Sequence, residues 1–398
     1  MKQKKVVDGK MSEKIFCLMV PMLIILSLFA SGAQTLASSQ SNWSAKVSYG
    51  PLEVIANITL DKEPFCIAVN DETNRVYVGV EGGLVIINGE TDEVIEEIPL
   101  EPEVVALAVN PQTNRIYAAV YGQNVTVING ATNQVDGAIL ERVYDSYEIA
   151  VNPVTNLVYI ADWSTIMGAY DRVKVYHGET LTLTETVNIP GSNESTVIQR
   201  VGVALNPDTN RIYATWRGND TLYLIDGDTH EITKTVKPSS FSDAVTVNQY
   251  TDYVYVGKAV LDGETLEEVT SDYQGDLKAV NPLSNILYTT QYENLYALNG
   301  STHSVVDSLE LHWWISSYFD PIAVNPQTSK IYMVNYQADQ VSVVIPELPV
   351  WTAILLVFIV LTVDIALHKR SAHNLKFMHH FFSRDSIIEP TINSGKNM

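Results

Sequence analysis

One fourteen-residue motif recurs seven times along this chain of 398 residues. Its first copy reads IAVNDETNRVYVGV and runs from Ile67 to Val80. Steps between the first Asn residues of successive copies range from 33 residues (Asn248 to Asn281) to 54 residues (Asn152 to Asn206). A repeat of this period indicates a solenoid, a propeller or an array of similar units. These marker residues are Asn70, Asn110, Asn152, Asn206, Asn248, Asn281 and Asn325.

Each copy predicts two antiparallel strands joined by a turn. An apolar run ends at the marker Asn, which Pro usually follows, and a second run carries Tyr seven residues after the Asn. Pro pre-sets φ for a turn, and a residue that tolerates the left-handed conformation closes it. Because these polar residues repeat, a scaffold role is favoured over a binding site. The closing residues are Asn74, Asn114, Asn156, Asn210, Asp252, Asn285 and Ser329.

A second hairpin follows in six of the copies. Asn-Gly and Asp-Gly are strong signals for a two-residue hairpin turn in which both residues have positive φ. Four strands in each of seven copies predict an all-β fold, a seven-bladed β-propeller of four-stranded blades. The dipeptides are Asn88-Gly89, Asn129-Gly130, His177-Gly178, Asp226-Gly227, Asp262-Gly263 and Asn299-Gly300.

The start of the predicted propeller indicates how the ring closes. The segment from Glu53 to Leu60, EVIANITL, matches EVIEEIPL from Glu93, which we interpret as an outer strand. The seventh copy lacks such a strand, because its last apolar run, Gln340 to Ile345, leads straight into Pro346. We therefore expect Glu53–Leu60 to pair with Gln340–Ile345, which would close a propeller spanning residues 53–345 and remove exposed sheet edges.

The repeats resemble a known family. The pattern IAVNPxTNRIYV followed by VxVIDGxT is similar to the YVTN-type β-propeller repeat of bacterial and archaeal cell-surface proteins, and the resemblance covers about residues 53 to 345. The fifth and sixth copies are short and degenerate. The resemblance implies a propeller fold and leaves the activity open, because propellers host many functions. Some seven-bladed relatives are lactonases or quinoprotein-like oxidoreductases.

Both ends of the chain carry apolar segments. Residues 1–37 contain five Lys residues and an apolar run from Ile15 to Ala30, which predicts a secretory signal peptide cleaved near Ala33 or Ala37. An uncleaved signal anchor is the alternative, although the run is short for a span. Residues 38–52 are a polar lead-in to the propeller.

After a linker at 346–349, residues 350–367 predict a C-terminal transmembrane helix. Residues 368–398 then form a basic tail, which the positive-inside rule places in the cytoplasm, with the propeller extracellular. The sequence IPELP before the apolar segment resembles the IPEFP-type anchors of archaeal surface proteins. The expected location is therefore the cell membrane, crossed once.

Composition limits the partners of the protein. A net charge of −21 argues against binding to nucleic acid. Of the two Cys residues, Cys17 lies in the signal segment, so Cys66 is left alone as a small core residue. We expect no metal site and no cofactor. Six Asn-x-Ser/Thr sequons permit glycosylation, at Asn42, Asn57, Asn124, Asn193, Asn219 and Asn299.

Aromatic and acidic residues that do not repeat are expected on the propeller face opposite the motif turns. Such residues suit stacking on a sugar or gripping a peptide or cation, and the alternative is that they only pack over the channel. We predict a cell-surface binding or structural module for adhesion, envelope assembly or ligand capture, with a surface protein or glycan as partner. The alternative is a lactonase or quinoprotein-like enzyme, for which the sequence shows no catalytic motif. The candidate residues are Tyr121, Asp162, Trp163, Trp216, Asp220, Tyr292, Glu293, Trp313, Trp314, Asp320 and Tyr336.

Overall fold

The computed structural model describes residues 51–140, 148–162, 171–192, 201–242, 244–313 and 322–346. These residues form 26 β-strands and no α-helix. No helix in this part of the chain is long and apolar enough to cross a membrane. The predicted signal peptide (1–37), transmembrane helix (350–367) and tail (368–398) lie outside the described residues.

The strands are numbered in the order in which they follow one another along the chain. They are β1 Leu52–Thr59, β2 Pro64–Asn70, β3 Arg75–Asn88, β4 Glu93–Asn110, β5 Arg115–Val120, β6 Val125–Asn129, β7 Gln134–Ile139, β8 Ile149–Asn152, β9 Leu157–Asp162, β10 Arg172–His177, β11 Leu183–Asn188, β12 Val201–Asn206, β13 Arg211–Trp216, β14 Thr221–Asp226, β15 Ile232–Val236, β16 Val245–Asn248, β17 Tyr253–Val256, β18 Ala259–Asp262, β19 Glu268–Thr270, β20 Asp276–Asn281, β21 Ile286–Gln291, β22 Asn294–Asn299, β23 Val305–Glu310, β24 Ile322–Val324, β25 Ile331–Asn335 and β26 Gln340–Pro346.

Within the described residues these strands belong to six hydrogen-bonded sheets, which are the blades of a β-propeller. Five blades have four strands, in the orders β1-β26-β25-β24, β11-β10-β9-β8, β12 to β15, β16 to β19 and β20 to β23. The sixth has six strands, β2 to β7 in chain order. The prediction of an all-β propeller is confirmed. The prediction of seven separate four-stranded blades is wrong, and the segment predicted as a transmembrane helix, 350–367, lies outside the described residues.

One long strand explains the difference in blade number. The first half of β4 pairs with β3, for example Glu96 with Ile86, and its second half pairs with β5, for example Leu107 with Ala118. The same strand therefore ends the first repeat and begins the second, which joins both repeats in one sheet. Seven copies of the motif are thus carried by six sheets. Repeat counting could not reveal this, because both copies are regular in sequence.

The ring closes as the sequence predicts. Strand β1 pairs antiparallel with β26, with Glu53 opposite Ile345 and Thr59 opposite Gln340. The apolar side chains of Leu52, Ile58 and Leu60 are buried in this region. The first described strand therefore forms the outer edge of the blade that contains the last one.

The strands that end at the marker Asn residues, or in β24 one residue before, form a closed inner ring. Neighbours along this ring are in contact in the order β2, β4, β8, β12, β16, β20, β24 and back to β2. The core lies between the repeats, and the motif Tyr residues are among its largest fully buried side chains. The single Cys of the described residues, Cys66, is also fully buried. The buried Tyr residues are Tyr77, Tyr117, Tyr159, Tyr213, Tyr255, Tyr288 and Tyr332.

A belt of side-chain hydrogen bonds joins the motif turns around the ring. Each marker Asn donates from Nδ2 to the closing residue of the next motif turn, and the last copy donates to the first. The donor–acceptor pairs are Asn70–Asn114 (2.8 Å), Asn110–Asn156 (2.9 Å), Asn152–Asn210 (2.8 Å), Asn206–Asp252 (2.6 Å), Asn248–Asn285 (2.7 Å), Asn281–Ser329 (3.5 Å) and Asn325–Asn74 (2.8 Å). We call these contacts the Asn belt.

The closing residues have the predicted left-handed backbone, from φ 50° at Asn74 to φ 58° at Ser329.

The prediction of a two-residue turn at the Asn-Gly pairs is wrong. At Asn88, the side-chain Oδ1 accepts from the backbone N–H of Glu90 at 2.8 Å, and positive φ falls later, at Asp92. Gly89 is required for space, because a Cβ there would lie 2.2 Å from Oδ1 of Asn74.

Candidate functional site

The propeller has two faces, one at each end of its strands. The motif turns and the Asn-Gly turns lie side by side, as the bond from Gly89 N to Asn74 O at 2.9 Å shows. We call this end of the strands the motif face. At the other end, the connections between repeats meet the remaining hairpin turns, for example through Tyr121 N to Glu103 O at 2.9 Å. We call that end the loop face.

On the motif face, the repeated polar side chains bond to the neighbouring repeat. Arg75 donates to the carbonyl of Gly130 at 3.0 Å, and Lys330 donates to that of Gly89 at 2.8 Å. Tyr117 donates its hydroxyl to the carbonyl of Gly178 at 3.1 Å. Burial raises the pKa of Tyr117 to about 12, so the phenol keeps its proton, and remains a donor, even well above physiological pH. These groups therefore act in the scaffold, as their repetition predicts.

Two predicted site residues of the loop face are buried. The Trp216 side chain is 4% exposed, and its Nε1–H donates to a carboxylate oxygen of Asp171 at 2.9 Å. Gly218 leaves room for the ring, because a Cβ there would lie 2.1 Å from it. Asp162 is 8% exposed and pairs with Arg172 at 2.8 Å and Lys174 at 3.0 Å. In this conformation both residues serve packing and charge neutralisation, and neither offers a face to a ligand.

Other predicted residues are dispersed around the ring or lie outside the described residues. Tyr121 is half-buried and packs against the core between the second and third repeats. Asp220 is exposed in the turn between β13 and β14, and half-buried Tyr336 begins the turn between β25 and β26. Trp163, Trp314 and Asp320 lie outside the described residues.

Three predicted residues come together at the sixth repeat. Tyr292 and Glu293 form the turn between β21 and β22, and the Glu293 carbonyl accepts from Leu311 N at 2.8 Å. This bond continues the β22–β23 pairing and brings the segment after Leu311 alongside the turn. Tyr292 is 67% exposed, whereas Trp313 is half-buried against a core that includes Leu311.

Polar side chains form a row beside these aromatic residues. Gln274 donates a hydrogen bond to Gln291. Gln291 is the strand partner of Asn294, and Asn294 is the partner of Glu310, so the three lie side by side across the sheet. His312 Nδ1 lies 3.7 Å from a carboxylate oxygen of Glu310. We define the repeat-six cluster as Gln274, Gln291, Tyr292, Glu293, Asn294, Glu310, His312 and Trp313.

The sequence pointed to the aromatic members of this cluster and missed the amides. Trp and Tyr attract notice because they do not repeat. Gln274 and Gln291 carry no comparable signal, because a Gln in a strand or connection is common on any surface. Their proximity depends on the pairing of β20 with β21.

The sequons differ in exposure. Asn57 and Asn219 are exposed, whereas Asn124 and Asn299 are half-buried. Oδ1 of Asn299 accepts from the backbone N–H of Ser301 at 2.9 Å, within its turn. Asn42 and Asn193 lie outside the described residues.

Among the described residues, no group of three His, Cys, Asp or Glu side chains is arranged to hold a metal ion. No protein-family model matches the chain, and no curated protein matches it. The similarity to the YVTN-type repeat therefore remains a resemblance carried by the motif. The arrangement of the strands is that of a β-propeller and is consistent with a propeller repeat family.

Proposed function

We propose that this protein is a cell-surface binding module that holds its partner, a surface protein or glycan, at the repeat-six cluster. The observation that carries the proposal is the backbone of Tyr292, which has φ 56° in an exposed turn. Positive φ in a bulky residue is unusual and costs roughly 1–2 kcal/mol. Such strain occurs at functional sites, and no other described hairpin turn of the loop face places positive φ at a bulky residue.

Comparison with the other repeats shows that the fold does not require Tyr at this point. The corresponding loop-face turns place positive φ at Gly or Asp wherever the structure describes them. These residues are Gly82, Gly122, Asp220, Gly257 and Asp339. Gly has no Cβ and adopts this conformation freely, and Asp is among the residues that tolerate it. Tyr292 therefore replaces a residue better suited to the turn, which supports a role in binding.

A second residue with positive φ lies beside the first. His312 has φ 61° in the connection that the Leu311–Glu293 bond holds against the Tyr292 turn. The other positive-φ His residues, His230 and His303, occupy the repeated turns of the motif face, three residues after Gly. The repeat-six cluster thus combines one strained aromatic residue, Tyr292, with a neighbouring left-handed residue, His312, and exposed aromatic surface.

The proposed location is the outer surface of the cell, with attachment through the apolar C-terminal segment. The support is in the sequence: a basic start followed by the apolar run Ile15–Ala30, and a second apolar run at 350–367 before a basic tail. Protease added to intact cells should remove the propeller and leave a tag placed after Met398. A propeller protected from the protease would contradict this location.

Binding is tested with full-length protein applied to intact cells of the source organism. Tyr292→Ala should abolish most of the binding. Tyr250→Ala is the matched control, because Tyr250 is 70% exposed but lies on the motif face. Tyr292→Gly separates binding from packing: it should lose binding while thermal stability is kept or raised, because Gly relieves the strained φ. Unchanged binding by Tyr292→Ala would refute the proposal.

A further inference from the structure

We infer that the repeat-six cluster binds a neutral carbohydrate, stacked on Tyr292 and held by the side-chain amides of Gln274 and Gln291. This inference rests on the proposed function and names the chemical class of its ligand. It follows from the hydrogen-bonding groups of the cluster, the disposition of its aromatic rings and its charge.

The polar row offers the groups that sugar hydroxyls need. A hydroxyl both donates and accepts a hydrogen bond, and a side-chain amide also does both. Gln274, Gln291 and Asn294 supply three such amides, all half-buried at the edge of the turn. The carboxylates of Glu293 and Glu310 add acceptors. Because Gln274 Nε2 donates to Gln291 Oε1, the carbonyl oxygen of Gln274 and the amino group of Gln291 are the amide groups that would meet the sugar hydroxyls.

The aromatic residues offer the apolar surface on which a sugar ring packs. Tyr292 is 67% exposed at the tip of a two-residue turn, so its ring presents surface to a flat ligand. Trp313 is half-buried against the core that includes Leu295 and Leu311, which fixes its position. A ligand that stacks on Tyr292 would reach the amides of the row at its rim. This combination of exposed ring and neighbouring amides is what a pyranose requires.

Charge favours a neutral ligand over an anionic one. The two carboxylates of the cluster, Glu293 and Glu310, would repel a phosphate or a uronic acid. His312 Nδ1 lies 3.7 Å from a carboxylate oxygen of Glu310, so this imidazole sits beside an acceptor of negative charge. The net charge of −21 adds a general field of the same sign.

The inference is tested by saturation-transfer NMR on the full chain in phosphocholine micelles, with a panel of methyl glycosides of neutral hexoses as probes. At least one glycoside should receive saturation from the protein. Tyr292→Ala and Gln291→Ala should weaken its binding by about tenfold or more, which corresponds to about 1.4 kcal/mol. Tyr250→Ala should change the affinity by less than about twofold.

Two results would overturn the inference. The first is that no glycoside binds the unaltered protein, and the second is that Tyr292→Ala binds glycosides as well as the unaltered protein does. Cell binding separates this failure from failure of the proposed function. Binding that depends on Tyr292, survives periodate oxidation of the cells and is lost after protease treatment would assign the site to a protein partner. The binding function would then stand, and the carbohydrate would be excluded.

Discussion

The last link of the Asn belt should contribute measurably to stability. Asn325 is fully buried, and its Nδ2 donates to Oδ1 of Asn74 across the ring closure at 2.8 Å. Its Oδ1 accepts from the backbone N–H groups of Gln327 at 2.9 Å and Thr328 at 3.2 Å. Asn325→Ala removes all three bonds. At about 1 kcal/mol net for each, the expected loss is about 3 kcal/mol.

Thermal unfolding followed by calorimetry measures this loss. For a domain of this size, 1 kcal/mol corresponds to about 2 °C, so the melting temperature should fall by about 6 °C. Gln327→Ala is the control, because Gln327 is exposed in the same turn. That control should shift the melting temperature by less than about 1 °C.

A second variant isolates the bond between repeats. Asn281 makes the same two turn bonds, to Leu283 N at 3.1 Å and Ser284 N at 3.2 Å, but its Nδ2 lies 3.5 Å from Ser329 Oγ. Asn281→Ala should therefore cost about 2 kcal/mol, one strong bond less than Asn325→Ala. Equal melting temperatures for Asn325→Ala and Gln327→Ala would refute a stabilising role of the belt.

Three further predictions concern packing, closure and pH. Trp216→Ala should destabilise the propeller by about 3–5 kcal/mol, because it empties a buried site and leaves Asp171 without the indole donor; a stable variant that loses ligand binding would restore Trp216 to the binding site. Deletion of residues 51–60 should remove β1 and expose the edge of β26, so light scattering should show aggregates. A monomer of unchanged melting temperature would contradict closure by β1. His303 lies among Tyr253, Tyr255 and Tyr273, and burial lowers its pKa, so the unfolded state binds the proton more readily than the folded state does. The free energy of unfolding should therefore fall as the pH drops below about 6.5. His303→Gln should flatten this dependence in chemical denaturation at pH 5 to 7, and an unchanged pH dependence would contradict the prediction.

The motif predicted the scaffold well because its residues act locally and identically in each copy. The closing residues have the φ expected of Asn, and β1 pairs where the match between the segments at Glu53 and Glu93 indicated. The number of blades was not predictable in this way, because it depends on whether β4 runs unbroken from one repeat into the next. Continuity of a strand is set by hydrogen bonds on both sides of it, which the repeat period does not report.

The candidate site was predictable only in part. Non-repetition identified Tyr292 and Trp313, but it also selected Trp216, whose indole N–H is used in the interior. The exposed fraction of the side chain distinguishes Tyr292 from Trp216, and this fraction depends on packing between segments that are distant in sequence. The amides of Gln274 and Gln291 became part of the site only through strand pairing.

The pairing of β1 with β26 also sets a delay in biosynthesis. Thr59 and its partner Gln340 are 281 residues apart (340 − 59), so the partner strand is made long after β1 leaves the ribosome. At about 5–20 residues per second, this interval is roughly 15 to 60 seconds. During that time β1 has no native partner, because the rest of its sheet consists of strands that are also made last. Closure therefore cannot occur before the last blade has been made, and the sequence of β1 must remain soluble as an unpaired segment until then.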